Sequence, residues 1–411
     1  MTFISTNWGG GVGQARADFL RWGLIVIGLI FLPCAYAASS LDSLLQEQKV
    51  RAGGRWREFQ RVLDHPPSFG LVSEKMVEDY RFLLAYLPLS DLAFMSGTDL
   101  AENIVLSYRA RQEFPWGEEI PEEIWQHFVI PHRISQEPYT PWRRVIWAEL
   151  ALRVEGLDMR RAALEVNHWC HEWATYKPTD RRDQDPLTTM RSGWGRCEEE
   201  MIFTIAALRS VGIPARQCFT PYWAHMDDNH AWVEVWVDGR WHYLGACEPA
   251  QDLNQAWFTG PAQRAMLVIS TAYGEYQGTE PVIKRFRRST LINSTSVYGP
   301  TRVLKVGLMD EKGKPLVNQR LIFSLFNYGS WMPILSLLTD SQGWVEWECG
   351  RGDLLVTAGV GQWGVAELIK GSDRKVQLIL HKGFVKSKGY QLEYQPPPEK
   401  PTLGKGVISL E

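Results

Sequence analysis

Apolar residues along positions 41–177 recur every three to four places and seldom alternate strictly. That period lines them up on one side of a helix. The segments 77–87, with Val77, Tyr80, Leu83, Leu84 and Leu87, and 142–154 show it most clearly. Pro115, Pro121, Pro131 and Pro138 divide the region into short elements. A polar, turn-rich stretch at 177–195 interrupts the pattern and is expected to run over the surface as a loop. A helix is predicted from Cys197 through Met201, Ile202, Ile205 and Leu208 to Val211-Gly212, where the glycine suits the position just past the helix end. Three strands follow at 215–219, 230–237 and 241–244, the last two joined by Asp238-Gly239, a two-residue hairpin signal.

From about Pro300 the pattern becomes short alternating runs, at 303–308, 320–325, 334–338, 354–358 and 376–380. The turns Asp310-Glu311-Lys312-Gly313 and Asp340-Ser341-Gln342-Gly343 separate some of them, and the set predicts an immunoglobulin-like β-sandwich over 300–383. Beyond it, Pro396-Pro397-Pro398 and a shortage of large apolar residues predict a poorly ordered tail at 384–411. At the other end, Arg16 and Arg21 precede an apolar run at 24–32 that closes in Ala35-Tyr36-Ala37. The run is far short of the ~20 residues that span a bilayer, so 1–38 is expected to be an export signal cleaved near Ala37. The mature protein is then periplasmic, cell-surface or secreted, and touches membrane only through that signal.

The length of 411 residues calls for two or three domains, divided here into a helical region (39–165), a core (166–299) and the β-module (300–383). With 19 tryptophans, some indoles are expected to line a groove rather than fill a core. A formal charge of −3 lacks the basic footprint of a nucleic-acid binder, and nucleic acid is excluded as a partner. Without the signal, five cysteines remain, Cys170, Cys197, Cys218, Cys247 and Cys349, in an odd number that leaves at least one thiol free. Their spacings fit neither a disulfide framework nor a zinc site, and His225 and His242 have no second ligand at zinc spacing. No metal or cofactor is called for. Cys170, Cys218 and Cys349 read as small core hydrophobes, whereas Cys247 reads as a core thiol, a disulfide partner of Cys218 or a redox-sensitive group.

Cys197, in Gly195-Arg196-Cys197-Glu198-Glu199, stands at a loop-to-helix junction, where the helix N-terminus favours a thiolate by roughly a kcal/mol or less. His230 opens the strand Asn229-His230-Ala231-Trp232-Val233-Glu234-Val235, from which it can reach a helix-borne thiol as its base. Alternation puts His230, Trp232 and Glu234 on one face of that strand. Gly195-Arg196-Cys197, then Gly212-Ile213-Pro214-Ala215-Arg216, then the His230 strand, then Gly239-Arg240-Trp241 together resemble the ordered pattern of the transglutaminase-like superfamily. The Gly-Arg-Cys opening is also similar to peptide N-glycanases. The resemblance covers roughly 167–258 and implies an α+β fold, with a papain-like transglutaminase core and a Cys-His-Asp site. One departure stands out: four residues after Trp241, where the superfamily carries its aspartate, this chain has Gly245. Glu248 is the expected replacement, able to orient His230 if the chain curls back after the strand, with Asp252 and Asp228 as lesser candidates. The backbone N–H of Cys197 is one oxyanion donor, and Asn167 or Trp194 is a candidate for the second. Trp194, Trp223, Trp232 and Trp257 are candidate groove walls. Arg216 is expected to be a structural ion-pair or hydrogen-bonding residue behind the site.

The chemistry implied is attack of the Cys197 thiolate on an amide carbonyl to give a thioester. Water would then make the protein a peptidase or amidase acting on a peptide, protein or glycopeptide; a lysine amine would make it a cross-linking transglutaminase. The third possibility is a peptide- or glycan-binding protein that keeps the fold without catalysis.

Overall fold

The computed structural model describes residues 40–180 and 182–383; the expected signal segment 1–38 and tail 384–411 lie outside them. The first part is helical: α1 (Leu41–Ala52), α2 (Trp56–Asp64), α3 (Glu74–Ala85), α4 (Leu89–Phe94), α5 (Gly97–Glu113), α6 (Glu122–Phe128), α7 (Trp142–Val154) and α8 (Met159–Trp173). The starts of several helices are written locally. Ser40, Ser73 and Asp158 each accept a backbone N–H from the first turn of α1, α3 and α8, and Ser96 with Asp99 forms a reciprocal capping box on α5. Their apolar faces, including Tyr80, Leu83, Leu84, Ile104 and Ile146, are buried in one core with the elements that follow. Among the described residues no helix is long and apolar enough to cross a membrane.

The 177–195 stretch is more than a surface loop. Strands β1 (Thr175–Tyr176) and β2 (Trp194–Gly195) pair in parallel, and α9 (Pro186–Ser192) lies between them. The Asp185 carboxylate caps α9 by accepting from the N–H groups of Leu187 and Thr188, Pro186 supplies its first turn, and Gly193 at φ 76° ends it. Helix α10 (Cys197–Ser210) then passes through the interior, packed by α7, α8 and α9 and by the strands that follow. It is buried nearly all round, as an axial helix must be when its residues are apolar on every face.

Against α10 stands a six-stranded antiparallel sheet ordered β5-β4-β3-β6-β8-β7. Its strands are β3 (Ala215–Thr220), β4 (His230–Val237), β5 (Arg240–Leu244), β6 (Ile269–Tyr273), β7 (Val282–Arg285) and β8 (Ser289–Asn293), with short helices α11 (Thr259–Ala262) and α12 (Thr295–Tyr298) beside them. Asp238 and Gly239, at φ 53° and 76°, form the left-handed turn that joins β4 to β5.

The C-terminal part contains a five-stranded and a three-stranded sheet that share an apolar core including Leu304, Phe323, Trp347 and Val356. The five-stranded sheet joins β10 (Arg320–Asn327), β11 (Ser330–Leu338), β13 (Leu354–Val360), β14 (Trp363–Ile369) and β16 (His381–Lys382). The other joins β9 (Thr301–Met309), β12 (Trp344–Gly350) and β15 (Lys375–Ile379). Strands β12 and β14 are additions to the runs read in the sequence, and β15 lies parallel to β9.

Candidate active site

Cys197 is the first residue of α10, and its backbone N–H therefore has no acceptor within the helix. The helix start is fixed by Glu199, whose buried carboxylate accepts from the N–H groups of Arg196 (3.0 Å) and Gln184 (3.0 Å) and from the Thr179 hydroxyl (2.7 Å). Gly195 permits this, because a side chain there would begin 2.9 Å from the Cβ of Glu199. Arg196 holds the adjoining loop through Asp183.

The backbone N–H of Ala231, the residue after His230, favours the charged form of the Cys197 thiol. That thiol donates to Glu198 Oε2 at 3.2 Å. The other carboxylate oxygen of Glu198 accepts from the Asn229 amide at 3.0 Å, so the start of α10 and the start of β4 are laced together. Burial, then the Glu198 charge, raise the thiol well above its ordinary range, outweighing the Ala231 N–H, which lowers it. Burial also depresses the His230 imidazole to about 4, although Glu198 and Asp228 pull it upward. At neutral pH the resting pair is thus a neutral thiol and a neutral imidazole. Glu198 itself is pushed up by burial, but hydrogen bonds from its own backbone N–H, from Cys197 and from Asn229, with Arg196 beside it, leave it below the usual value.

His230 is buried in an aromatic nest. Its ring lies 4.7 Å from Trp257, 5.0 Å from Phe258 and 5.7 Å from Trp232, with Trp223 stacked beyond at 6.3 Å. Its Nε2 is buried and has no hydrogen-bond partner.

The chain does curl back after β5. Cys247 takes φ 54°, Gly245 and Glu248 bridge, and Glu248 Oε2 lies 2.3 Å from where a side chain at Gly245 would begin. The Glu248 carboxylate thus occupies the space an aspartate at 245 would enter. It is not hydrogen-bonded to His230: Oε1 accepts from Trp257 Nε1 at 3.1 Å, and Oε2 is buried without a partner. Trp257, in contact with both, links the two. Burial raises the Glu248 carboxyl, and burial followed by the charge of Glu248 raises Glu200, one turn along α10 from Cys197, to about 8. Asp252 instead pairs with Arg160 at 2.7 Å at the surface. Asp228 accepts from the Tyr328 hydroxyl at 3.1 Å.

Other candidates fall into place around this centre. The Asn167 amide donates to the main-chain oxygen of Glu248 at 3.0 Å, steadying that turn. Trp194 is 40% exposed on the rim, with the Lys177 ammonium 4.2 Å above its ring; Tyr176 and Trp257 are exposed nearby. Trp232 and Trp223 are not groove walls. Both are fully buried behind His230 as parallel indoles 6.3 Å apart, and Trp232 Nε1 donates to Tyr298 at 2.8 Å. Arg216, also buried, bridges Glu234 (2.7 Å) and Glu280 (2.8 Å). The two free thiols Cys218 and Cys247 sit in different places: Cys218 beside Ser270 and Tyr298, Cys247 facing Cys170 and Thr204. Among the described residues no cluster of side chains could hold a metal ion. The partners of Glu198, Asn229 and Ala231 were not foreseen, although Glu198 and Asn229 directly adjoin the two motif residues.

A helix-borne thiol is thus set close to the start of a strand that opens with histidine. Residues 149–246 match the family model of the transglutaminase-like superfamily. Similar solved structures include a putative cysteine protease from Cytophaga hutchinsonii, 21% identical over 27% of this chain and 39% of that one, at a TM-score of 0.23. Red sea bream transglutaminase is 9% identical over 67% of this chain and 66% of that one, at a TM-score of 0.31. The chain thus spans less than two thirds of either. No curated protein matches it.

Proposed function

We propose that the protein is an exported enzyme that hydrolyses amide bonds of peptides or glycopeptides through a thioester on Cys197. The observation that carries this is the lacing of the Cys197 helix start to the His230 strand start through Glu198, which accepts from the Cys197 thiol at 3.2 Å and from the Asn229 amide at 3.0 Å. When a substrate carbonyl enters, His230 takes the thiol proton, the sulfur attacks the carbonyl carbon, and the oxyanion meets the free N–H of Cys197. Collapse expels the amine, which takes the proton from His230, and water activated by the same imidazole then cleaves the thioester. A neutral resting pair suits this order, because it protects the thiol until substrate displaces Glu198. Glu248 acts on His230 through Trp257, and the exposed rings of Tyr176, Trp194 and Trp257 offer flat contact area for a peptide or glycopeptide. The C-terminal sheets are an immunoglobulin-like module.

The test is acid-quenched mass spectrometry of the protein after mixing with peptide amides and envelope glycopeptides. An acyl adduct on Cys197, with amine release lost in Cys197→Ala and His230→Ala, is expected. Isopeptide cross-links without cleavage would replace hydrolysis with transamidation. The neutral thiol under Glu198 also favours a second reading, a non-catalytic peptide or glycan binder, and binding without adduct or release would establish it.

A further inference from the structure

We propose that the C-terminal module completes the active site: the tip of the β10–β11 hairpin holds the Asp228-Asn229-His230 segment, and Asn327 is a positioning residue for His230. The inference rests on the Cys197 and His230 reading above. Strands β10 and β11 pair out to Asn327 opposite Ser330, and Tyr328 and Gly329, at φ 49° and 70°, make the tight turn between them. Asn327 is 1% exposed and its amide is fully used. Its Nδ2 donates to the carbonyls of Trp223 (3.0 Å) and Met226 (2.9 Å), and its Oδ1 accepts the N–H of Asp228 (3.3 Å). Tyr328 adds its own N–H to Asp227 Oδ1 (2.6 Å) and its hydroxyl to Asp228 Oδ1 (3.1 Å).

These bonds close on a stretch that the sheet does not hold, anchored besides by the buried Trp223, whose N–H donates to the Asp228 carbonyl at 2.9 Å. Residues 221–229 form neither helix nor strand. Asp228 has φ 129°, a conformation that non-glycine residues adopt only where their surroundings impose it. The hairpin tip imposes it. The next residue, Asn229, grips Glu198, which in turn accepts the Cys197 thiol, and the residue after that is His230. The apolar core around Phe323 and Trp347 is continuous with Met266, Leu267 and Ile269 of the central part, and the polar tip lies outside that core. Its place between the sheet and the catalytic loop points to alignment of the imidazole.

The experiment is a double-mutant cycle on the chain from Ser39 onward, reading Cys197-dependent hydrolysis of p-nitrophenyl acetate against a Cys197→Ala blank. Asn327→Ala is expected to lower kcat by about tenfold or more with little change in KM, as a small misplacement of a reacting group does. In a His230→Ala background the same substitution should change the rate by no more than about twofold, because its effect runs through that ring. Phe326→Ser, on the same hairpin but without a bond to the loop, should leave turnover unchanged. Should Asn327→Ala fail to melt cooperatively, Tyr328→Phe and Asn327→Asp carry the test, the latter keeping the acceptor for Asp228 and losing both donors. Equal slowing with and without His230, or no slowing at all, would overturn the inference. Absence of Cys197-dependent turnover in the unsubstituted chain would instead bring down the enzyme reading itself.

Discussion

Replacing Glu198 by glutamine removes the charge that faces the Cys197 thiol and keeps an oxygen to accept from it and from Asn229. Two unit charges at the observed 3.2 Å would repel by roughly 5 kcal/mol at an effective dielectric of ~20. Two features reduce this. Arg196 Nε lies 3.1 Å from the same carboxylate oxygen, and the Glu198 side chain is 30% exposed. A residual effect of about 1 to 2 kcal/mol corresponds to about one pKa unit. At any pH well below the thiol pKa, thiolate would then be about tenfold more abundant. A less basic thiolate is also a poorer nucleophile, with a Brønsted coefficient near 0.4–0.5, so the net gain in alkylation rate is roughly threefold. The assay is iodoacetamide labelling of the Cys197 peptide by mass spectrometry from pH 6 to 10, with Glu200→Gln as a comparison one turn further along α10. Equal or slower labelling in Glu198→Gln would refute the view that this carboxylate holds the thiol protonated.

Gly245→Asp alone should lower both stability and turnover, because its side chain would begin 2.3 Å from Glu248 Oε2; joined with Glu248→Ala it should recover turnover, measured in the same ester assay. The base works only when unprotonated and burial disfavours its charged form, so the acid limb of kcat/KM should fall near pH 4 rather than near 6.5, as a pH–rate profile would show. Arg216→Met strands the buried Glu234 charge and should cost about 3–5 kcal/mol in urea unfolding; a loss below about 1 kcal/mol would show that Tyr298 and Ser270, which also donate to Glu234, suffice.

Strand β4 lies where its alternation and the Asp238-Gly239 turn place it, because both signals are local. The end of α10 is legible for the same reason: Gly212 follows its last turn at φ 77°. Helix α9 was hidden by polar composition, although its aspartate cap, proline and closing glycine are all written in the chain. Alternation assigned Trp232 and His230 to one face but could not say that α11, α12 and the Phe258 ring cover it. The departure at Gly245 was visible, yet only the turn through Cys247 shows how Glu248 enters the vacated space. Least legible was the hold of Asn327 on Asp228, since nothing local links residues about a hundred positions apart.

The parallel indoles of Trp223 and Trp232 make the site an optical object as well as a chemical one. At 6.3 Å and 5° apart the two rings are close enough for their transition dipoles to couple. The imidazole of His230 lies against Trp232, and a protonated imidazole quenches a neighbouring indole. The share of indole emission that this pair contributes is therefore expected to fall as the base takes up its proton.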